Sequence, residues 1–218
     1  MPARSGLPRP LLVIVRGKPG SGKTTLARRL AETAAFGLPL LSRDALKVGL
    51  VETQGSETDA VRDTVVPLAY ALFYQTIELW LRAGVSLIAE NSFPRDRSAS
   101  ALRALIPLAH TVVIHCDTSD EEAQRRFIAR ERANPRARPD LRTATVERME
   151  RGTYPWRMFD PFPLGVPALR VDTTCGYVPG LDAIIAFCRD GRAGNGAEDG
   201  ARTDTTTIGI EARGGNVT

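Results

Sequence analysis

The 218-residue chain reads as a three-layer α/β sandwich around a mostly parallel, five-stranded sheet. Two observations predict this fold. Residues 11–15 (LLVIV), 85–89 (VSLIA) and 111–116 (TVVIHC) are apolar nearly throughout, the pattern of strands covered on both faces. Between such runs lie stretches with apolar residues three or four apart, each long enough to carry the chain back across a sheet as a helix. With 43% hydrophobic residues the chain can bury one good-sized core, and its length leaves no room for a second full domain.

The first strand, residues 11–15, leads to a helix over residues 24–35 in which Leu26 and Leu30 are four apart. Residues 38–41 form a second strand that runs into Ser42, Arg43 and Asp44 at the head of another helix. A long helical pattern over residues 58–82 carries Val61, Val65, Leu68, Leu72, Ile77 and Leu81, is interrupted by Pro67, and stops at Gly84. The third strand is residues 85–89, followed by a helix over residues 97–108 that Pro107 breaks, and the fourth strand is residues 111–116. After Asp117, Thr118 or Ser119 caps a helix whose positive first turn holds Glu121 and Glu122. Residues 168–171 form the fifth strand and a helix over residues 181–188 closes the fold. Residues 1–10 read as an N-terminal extension, residues 11–190 as one domain with a lid over about residues 125–157, and residues 191–218, rich in Gly, Thr and charge, as a disordered tail.

No apolar run approaches the roughly 20 residues that span a bilayer, and MPARSGLPRP lacks the apolar centre of a signal peptide. A cytoplasmic protein with no membrane partner is expected. Cys116, Cys175 and Cys188 are an odd set without metal-ligand spacing, which argues against a disulfide framework and against a zinc site. The net charge of +4 is concentrated, because ten arginines face four acids between residues 125 and 157. A nucleic-acid surface would interleave aromatics for base stacking, and only Phe127 lies near these arginines, so nucleic acid is an unfavoured partner.

The octapeptide GKPGSGKT, Gly17 to Thr24, fits G-x-x-x-x-G-K-[ST] without a mismatch and stands between a strand and a helix. Gly17, Gly20 and Gly22 allow the N–H groups of a loop that also holds Pro19 and Ser21 to turn toward a phosphate. The helix entered through Thr24 and Thr25 adds its positive end. Lys23 reaches the β- and γ-phosphates and the Thr24 hydroxyl ligates a metal ion, so ATP and Mg²⁺ are expected on a P-loop NTPase sandwich. A turn that merely joins strand to helix explains neither the lysine nor the hydroxyl after it.

The chain lacks the N-K-x-D motif of GTPases and the L-S-G-G-Q signature of ABC-type ATPases. A compact kinase needs instead an acid for the acceptor's proton, a carboxylate that supports magnesium and a basic lid. Asp44 in LSRDALK is the candidate acid, delivered by the second strand beside the phosphate loop, with Arg43 or Lys47 to hold an anionic acceptor. The alternative reading of Asp44 is a plain helix N-cap, which need not exclude catalysis. Glu90 ends the third strand in the Walker B manner and is the candidate second carboxylate, against a reading as a strand-end acid facing solvent.

The combination of GKPGSGKT, SRDALK, the strand-end AENSF and an arginine-rich helix resembles the small P-loop kinases typified by polynucleotide 5′-hydroxyl kinases, the AAA_33 family, over about residues 11–190. It is similar, more distantly, to zeta toxins and chloramphenicol phosphotransferase. The resemblance implies that Asp44 is the general base and that Lys47 stands where polynucleotide kinases place an acceptor-binding arginine. Lysine cannot offer a phosphate the planar fork of arginine, and the family usually has aspartate where Glu90 stands. In small kinases a lid arginine stabilises the transferred group, and Arg126 and Arg130, four apart on one helical face, are the candidates here. Pairing with Glu122 and Glu131 on a solvated helix is the simpler account of the same residues.

The resulting expectation is an ATP-dependent phosphotransferase acting on a hydroxyl of a small molecule or nucleotide. The alternatives are an ATP-dependent regulatory protein with slow turnover and a polynucleotide 5′-hydroxyl kinase. Residues 171–174 after the fifth strand are expected to line the adenine pocket, and His110 and His115 to be structural.

Overall fold

The structure is a computed structural model that describes residues 9–33, 36–52, 59–133 and 139–193. The expected tail beyond residue 193, nearly all of the N-terminal extension and residues 134–138 of the expected lid lie outside them. The strand β1 (Leu11–Arg16) is buried along its whole length because it is paired on both sides and covered on both faces. Around it run α1 (Lys23–Glu32), β2 (Leu40–Ser42), α2 (Arg43–Glu52), α3 (Asp59–Arg82), β3 (Leu87–Glu90), α4 (Arg95–Leu105), β4 (His110–Asp117), α5 (Asp120–Ala133), α6 (Pro139–Glu150), β5 (Ala168–Asp172) and α7 (Leu181–Ala193). The five strands are all parallel in the order β2-β3-β1-β4-β5. The predicted sheet is therefore borne out.

Period-two alternation divides the core into two layers. On one face Val13, Val15, Ile88 and Ile114 pack with Leu26 and Leu30 of α1 and with Ile184 and Cys188 of α7. On the other, Leu12, Ile14, Leu87, Ala89 and Val113 pack with Phe73, Ile77 and Leu81 of α3 and with Leu102 and Leu105 of α4. Full burial of each such side chain stabilises the fold by roughly 1.5–3 kcal/mol, so both helical layers are held mainly by these contacts.

Several local expectations change. The helix α3 runs through Pro67 without a break, since burial of a stripe of Val65, Ala69, Phe73, Ile77 and Leu81 outweighs a proline cost of about 3 kcal/mol. That stripe steps by four, which leaves the expected Leu68 40% exposed. At its end the Gly84 and Val85 N–H groups donate to the carbonyls of Leu81 and Trp80, a Schellman closure with Gly84 at φ 80°. Val85 therefore belongs to the helix cap, and β3 starts two residues later than predicted and extends through Glu90. The helix before β4 stops at Leu105, where a short 3-10 turn, Ile106–Leu108, absorbs Pro107. The closing helix continues past the expected boundary at residue 190 to Ala193. Among the described residues no helix is long and apolar enough to cross a membrane.

Candidate active site

The phosphate loop joins the C-terminal end of β1 to α1, at the rim where ligands sit in parallel α/β sheets. Gly22 precedes α1 in a left-handed conformation, no side chain caps the helix, and its first turn holds no acid. The helix N–H groups and the positive end of the dipole are thus left for an anion. Lys23, at the first helical position, is 6% exposed and forms no ion pair among the described residues. Gly20 has φ 83°, and a Cβ there would lie 2.0 Å from the backbone carbonyl oxygen of Ala123 in α5. The loop is therefore in contact with the helix that carries the expected lid arginines.

Across the sheet, the Thr24 hydroxyl donates to Glu90 Oε1 at 3.1 Å and the Ser42 hydroxyl to Glu90 Oε2 at 2.7 Å. Glu90 is 1% exposed, which removes the reading of it as a solvent-facing acid. The same bonds correct the expected placement of the second strand. In the sheet β3 lies between β2 and β1, so Ser42 meets the phosphate loop through Glu90 instead of standing directly beside it. Thr24 and Glu90 offer hard oxygen donors, the chemistry Mg²⁺ prefers. No cluster of three or more His, Cys, Asp or Glu suited to a metal exists among the described residues, and a cation shared with ligand phosphates needs none. The pair therefore fits the expected ion.

Asp44 lies in the first turn of α2 with its side chain 62% exposed, paired to Arg43 at 2.8 Å. It is the second residue of the helix, two positions beyond Ser42, where a cap would stand. Arg43 is mostly buried, stacks over the Tyr70 ring at 4.9 Å and donates from Nε to Asn91 Oδ1 at 3.4 Å. Lys47 follows on the same helix, half-buried, one turn from Arg43.

The helix α5, which carries the first part of the expected lid, begins as predicted, with the Glu122 N–H donating to Ser119 Oγ at 3.1 Å. Glu122 accepts from both Arg125 and Arg126, and Arg125 first, then Arg126, hold its carboxyl down at about 2. Arg126 also donates to the carbonyls of Thr173 and Thr174 at 3.0 and 2.7 Å. It therefore ties α5 to the loop after β5. Arg130 is 58% exposed, lies over the Phe127 ring and pairs with Glu131 at 3.4 Å. Thr173 is the residue whose role was least legible. Its buried hydroxyl sits 2.7 Å from the Ser21 carbonyl and 2.8 Å from the Asp117 carbonyl, which fixes the phosphate loop from below. Only its place after a strand on the same rim hinted at this. Lys18, inside the loop, pairs with Asp120 at the head of α5.

A family model described as an AAA domain, AAA_33, matches residues 12–155. Adenylyl-sulfate kinase of Pseudomonas aeruginosa is 29% identical over 122 residues, a match that spans 54% of this chain and 59% of that protein's length. The crystal structure of a candidate kinase from Chloroflexus aurantiacus is 31% identical, covers 85% of this chain and 97% of its own, and superposes with a TM-score of 0.66. A sugar kinase from a Janibacter species covers 85% of this chain and 98% of its own with a TM-score of 0.55 at 20% identity, a likeness of fold. These matches bear out the resemblance to small P-loop kinases.

Two outcomes are expected. Gly20→Ala forces its methyl onto the Ala123 carbonyl in a conformation that already disfavours a side chain, so the variant should lose at least 1–3 kcal/mol of stability and most nucleotide affinity, read by thermal unfolding and ligand titration. His115 is 7% exposed, and burial, reinforced by Arg16, lowers its pKa from 6.5 to about 4. A histidine held neutral in the fold stabilises it fully above about 6.5, and that contribution is lost as pH falls toward 4, because only the unfolded chain takes up the proton. Urea unfolding at pH 7 and pH 4.5 should show wild type losing about 2 kcal/mol more than His115→Gln. Equal losses would exclude His115 as the source.

Proposed function

The chain belongs to the AAA_33 family, and from that premise we propose that it is an ATP-dependent phosphotransferase, moving the γ-phosphoryl group of ATP to a hydroxyl of a small molecule. The observation that carries this reading is the buried Glu90 carboxylate, bridged to Thr24 of the phosphate loop and to Ser42, two residues before Asp44. A simple nucleotide-holding loop has no need of that second strand end. The curated relative is a kinase of adenylyl sulfate, a small molecule, and this supports a small acceptor over a polynucleotide end.

In this reading Lys23 and the N-terminus of α1 bind the phosphates, and Thr24 and Glu90 hold Mg²⁺. The ion, when bound, neutralises charge on the phosphate oxygens. Asp44, turned by Arg43, accepts the proton of the acceptor hydroxyl as the new P–O bond forms and the bond from the γ-phosphorus to the bridging oxygen breaks, leaving ADP. Arg43 and Lys47, four apart on α2, supply positive charge on the acceptor side. Of the two lid candidates, Arg130 is the freer to reach the transferred group, since Arg126 is occupied by Glu122 and two carbonyls.

The test is a transfer screen with γ-labelled ATP against pooled hydroxyl metabolites, nucleosides and short oligonucleotides. Asp44→Asn should reduce transfer at least 100-fold and leave ATP affinity within about twofold. Glu90→Gln should raise the Mg²⁺ concentration needed for nucleotide binding, a readout independent of turnover. Label on oligonucleotides alone would favour a polynucleotide kinase, and ATP binding without any labelled product would favour a nucleotide-dependent regulatory protein.

A further inference from the structure

Arg16, the last residue of β1, is 2% exposed and forms no ion pair with a carboxylate among the described residues. Buried guanidinium groups are ordinarily paired, because an uncompensated charge in the interior is costly. Here one terminal nitrogen donates to the Asp160 carbonyl at 2.9 Å, the Phe162 ring lies 4.1 Å from the guanidinium carbon, and Nε has no partner. Burial lowers the Arg16 pKa to about 10, which still leaves the group charged at neutral pH.

Its surroundings repeat the pattern. The register Val15↔Glu90 continues one residue on, where the Asn91 N–H donates to the Val15 carbonyl, so Asn91 follows Glu90 beside Arg16. Neighbouring parallel strands stand about 4.8 Å apart with register partners on one face, which sets Asn91 and Arg16 side by side. Asn91 is 2% exposed. Its Oδ1 accepts from Arg43 Nε and from the Ser92 N–H, and its Nδ2 donor has no partner. On the far side His115 is paired in register with Arg16 and is kept neutral. The rim thus carries two adjacent buried donor groups, one of them cationic, each with an unanswered N–H and no acid between them. Leaving such donors unpaired costs the fold, and an anion would satisfy both. This row lies on the α3–α4 face of the sheet, opposite Glu90, and Arg43 joins it to Asp44.

Building on the phosphotransferase reading, we propose that the acceptor bears an anionic group, a carboxylate or a phosphate, which Arg16 and Asn91 receive at the floor of the acceptor pocket. The anion displaces the Asp160 carbonyl from Arg16, since a charged oxygen is about twice as good an acceptor for a guanidinium as a neutral one. Arg43, bonded to both Asn91 and Asp44, then aligns the bound anion with the base. Arg16 is a specificity-determining residue in this account.

The test has a transfer arm and a binding arm. The transfer arm compares matched pairs, glycerate and glycerol 3-phosphate against glycerol, and nucleoside 5′-monophosphates against nucleosides, which separates carboxylate from phosphate. The binding arm titrates the same compounds into protein saturated with a non-hydrolysable ATP analogue and Mg²⁺, read by thermal shift. Anionic members should bind and be labelled in preference to neutral ones. Arg16→Gln should raise their KM and Kd about 10- to 100-fold, with nucleotide affinity within about twofold and Arg16→Lys recovering part of the loss. Should Arg16→Gln fail to fold, Asn91→Asp supplies an internal carboxylate to Arg16 and should abolish the same preference. Neutral compounds serving as well as anionic ones, or an unchanged KM and Kd in Arg16→Gln, would overturn the proposal and leave the kinase reading standing. Anion binding lost in Arg16→Gln with no labelled product from any pool would sink the kinase reading and keep the anion site.

Discussion

The arrangement turns on one buried carboxylate. Glu90 is taken out of water at the end of β3 and is answered by two hydroxyls, Thr24 from the phosphate loop and Ser42 from the end of β2. A buried charged group with too few partners would be expelled or neutralised, so these two bonds fix where the ends of three strands meet. Through them the phosphate loop, the candidate metal site and the head of α2 become one rigid rim. The base candidate Asp44 is placed by that rim, two residues beyond the hydroxyl that Glu90 holds.

A second set of contacts braces the loop from the opposite side of β1. Thr173 reaches the Ser21 and Asp117 carbonyls, and Arg126 reaches the carbonyls of Thr173 and Thr174 while paired with Glu122. Gly20 is pressed against the Ala123 carbonyl of the same helix, and Lys18 is paired with Asp120 at that helix's head. Movement of α5 is therefore coupled directly to the phosphate loop. The phosphate loop and α5 are thereby linked physically, since neither can shift far without breaking buried or half-buried polar contacts.

The period of a strand divides the chemistry at the rim. Glu90 faces Thr24 at the head of α1, while Asn91, one residue later, falls on the opposite face with Arg16 and beneath Arg43. In the proposed reaction these two consecutive residues would face its two sides. Other buried polar atoms, among them Ser98 Oγ and His115 Nδ1, also lack a partner, but Arg16 and Asn91 are the adjacent pair on this rim in which one member is a cation, the kind of local inconsistency that functional sites retain.

What could be read along the chain was whatever contiguous residues encode. The octapeptide from Gly17 to Thr24, the apolar run of the first strand, the Ser119 cap and the stop at Gly84 depend on neighbours a few residues apart, and each appears where local spacing puts it. The family resemblance rested on the same local strings. Packing decided the rest. Pro67 passes inside a helix because a buried stripe holds it there, and β3 separates β2 from β1 because the sheet is ordered by burial instead of by sequence. The bonds that define the site join residues 48, 66 and 152 positions apart, Ser42 to Glu90, Thr24 to Glu90 and Thr173 to Ser21. No local pattern specifies such pairs, since each forms only after loop closure has been offset by the burial of the two cores. For the same reason Arg16 reads in the sequence as one more strand-end residue, and only the closed sheet shows a buried cation without a carboxylate among the described residues.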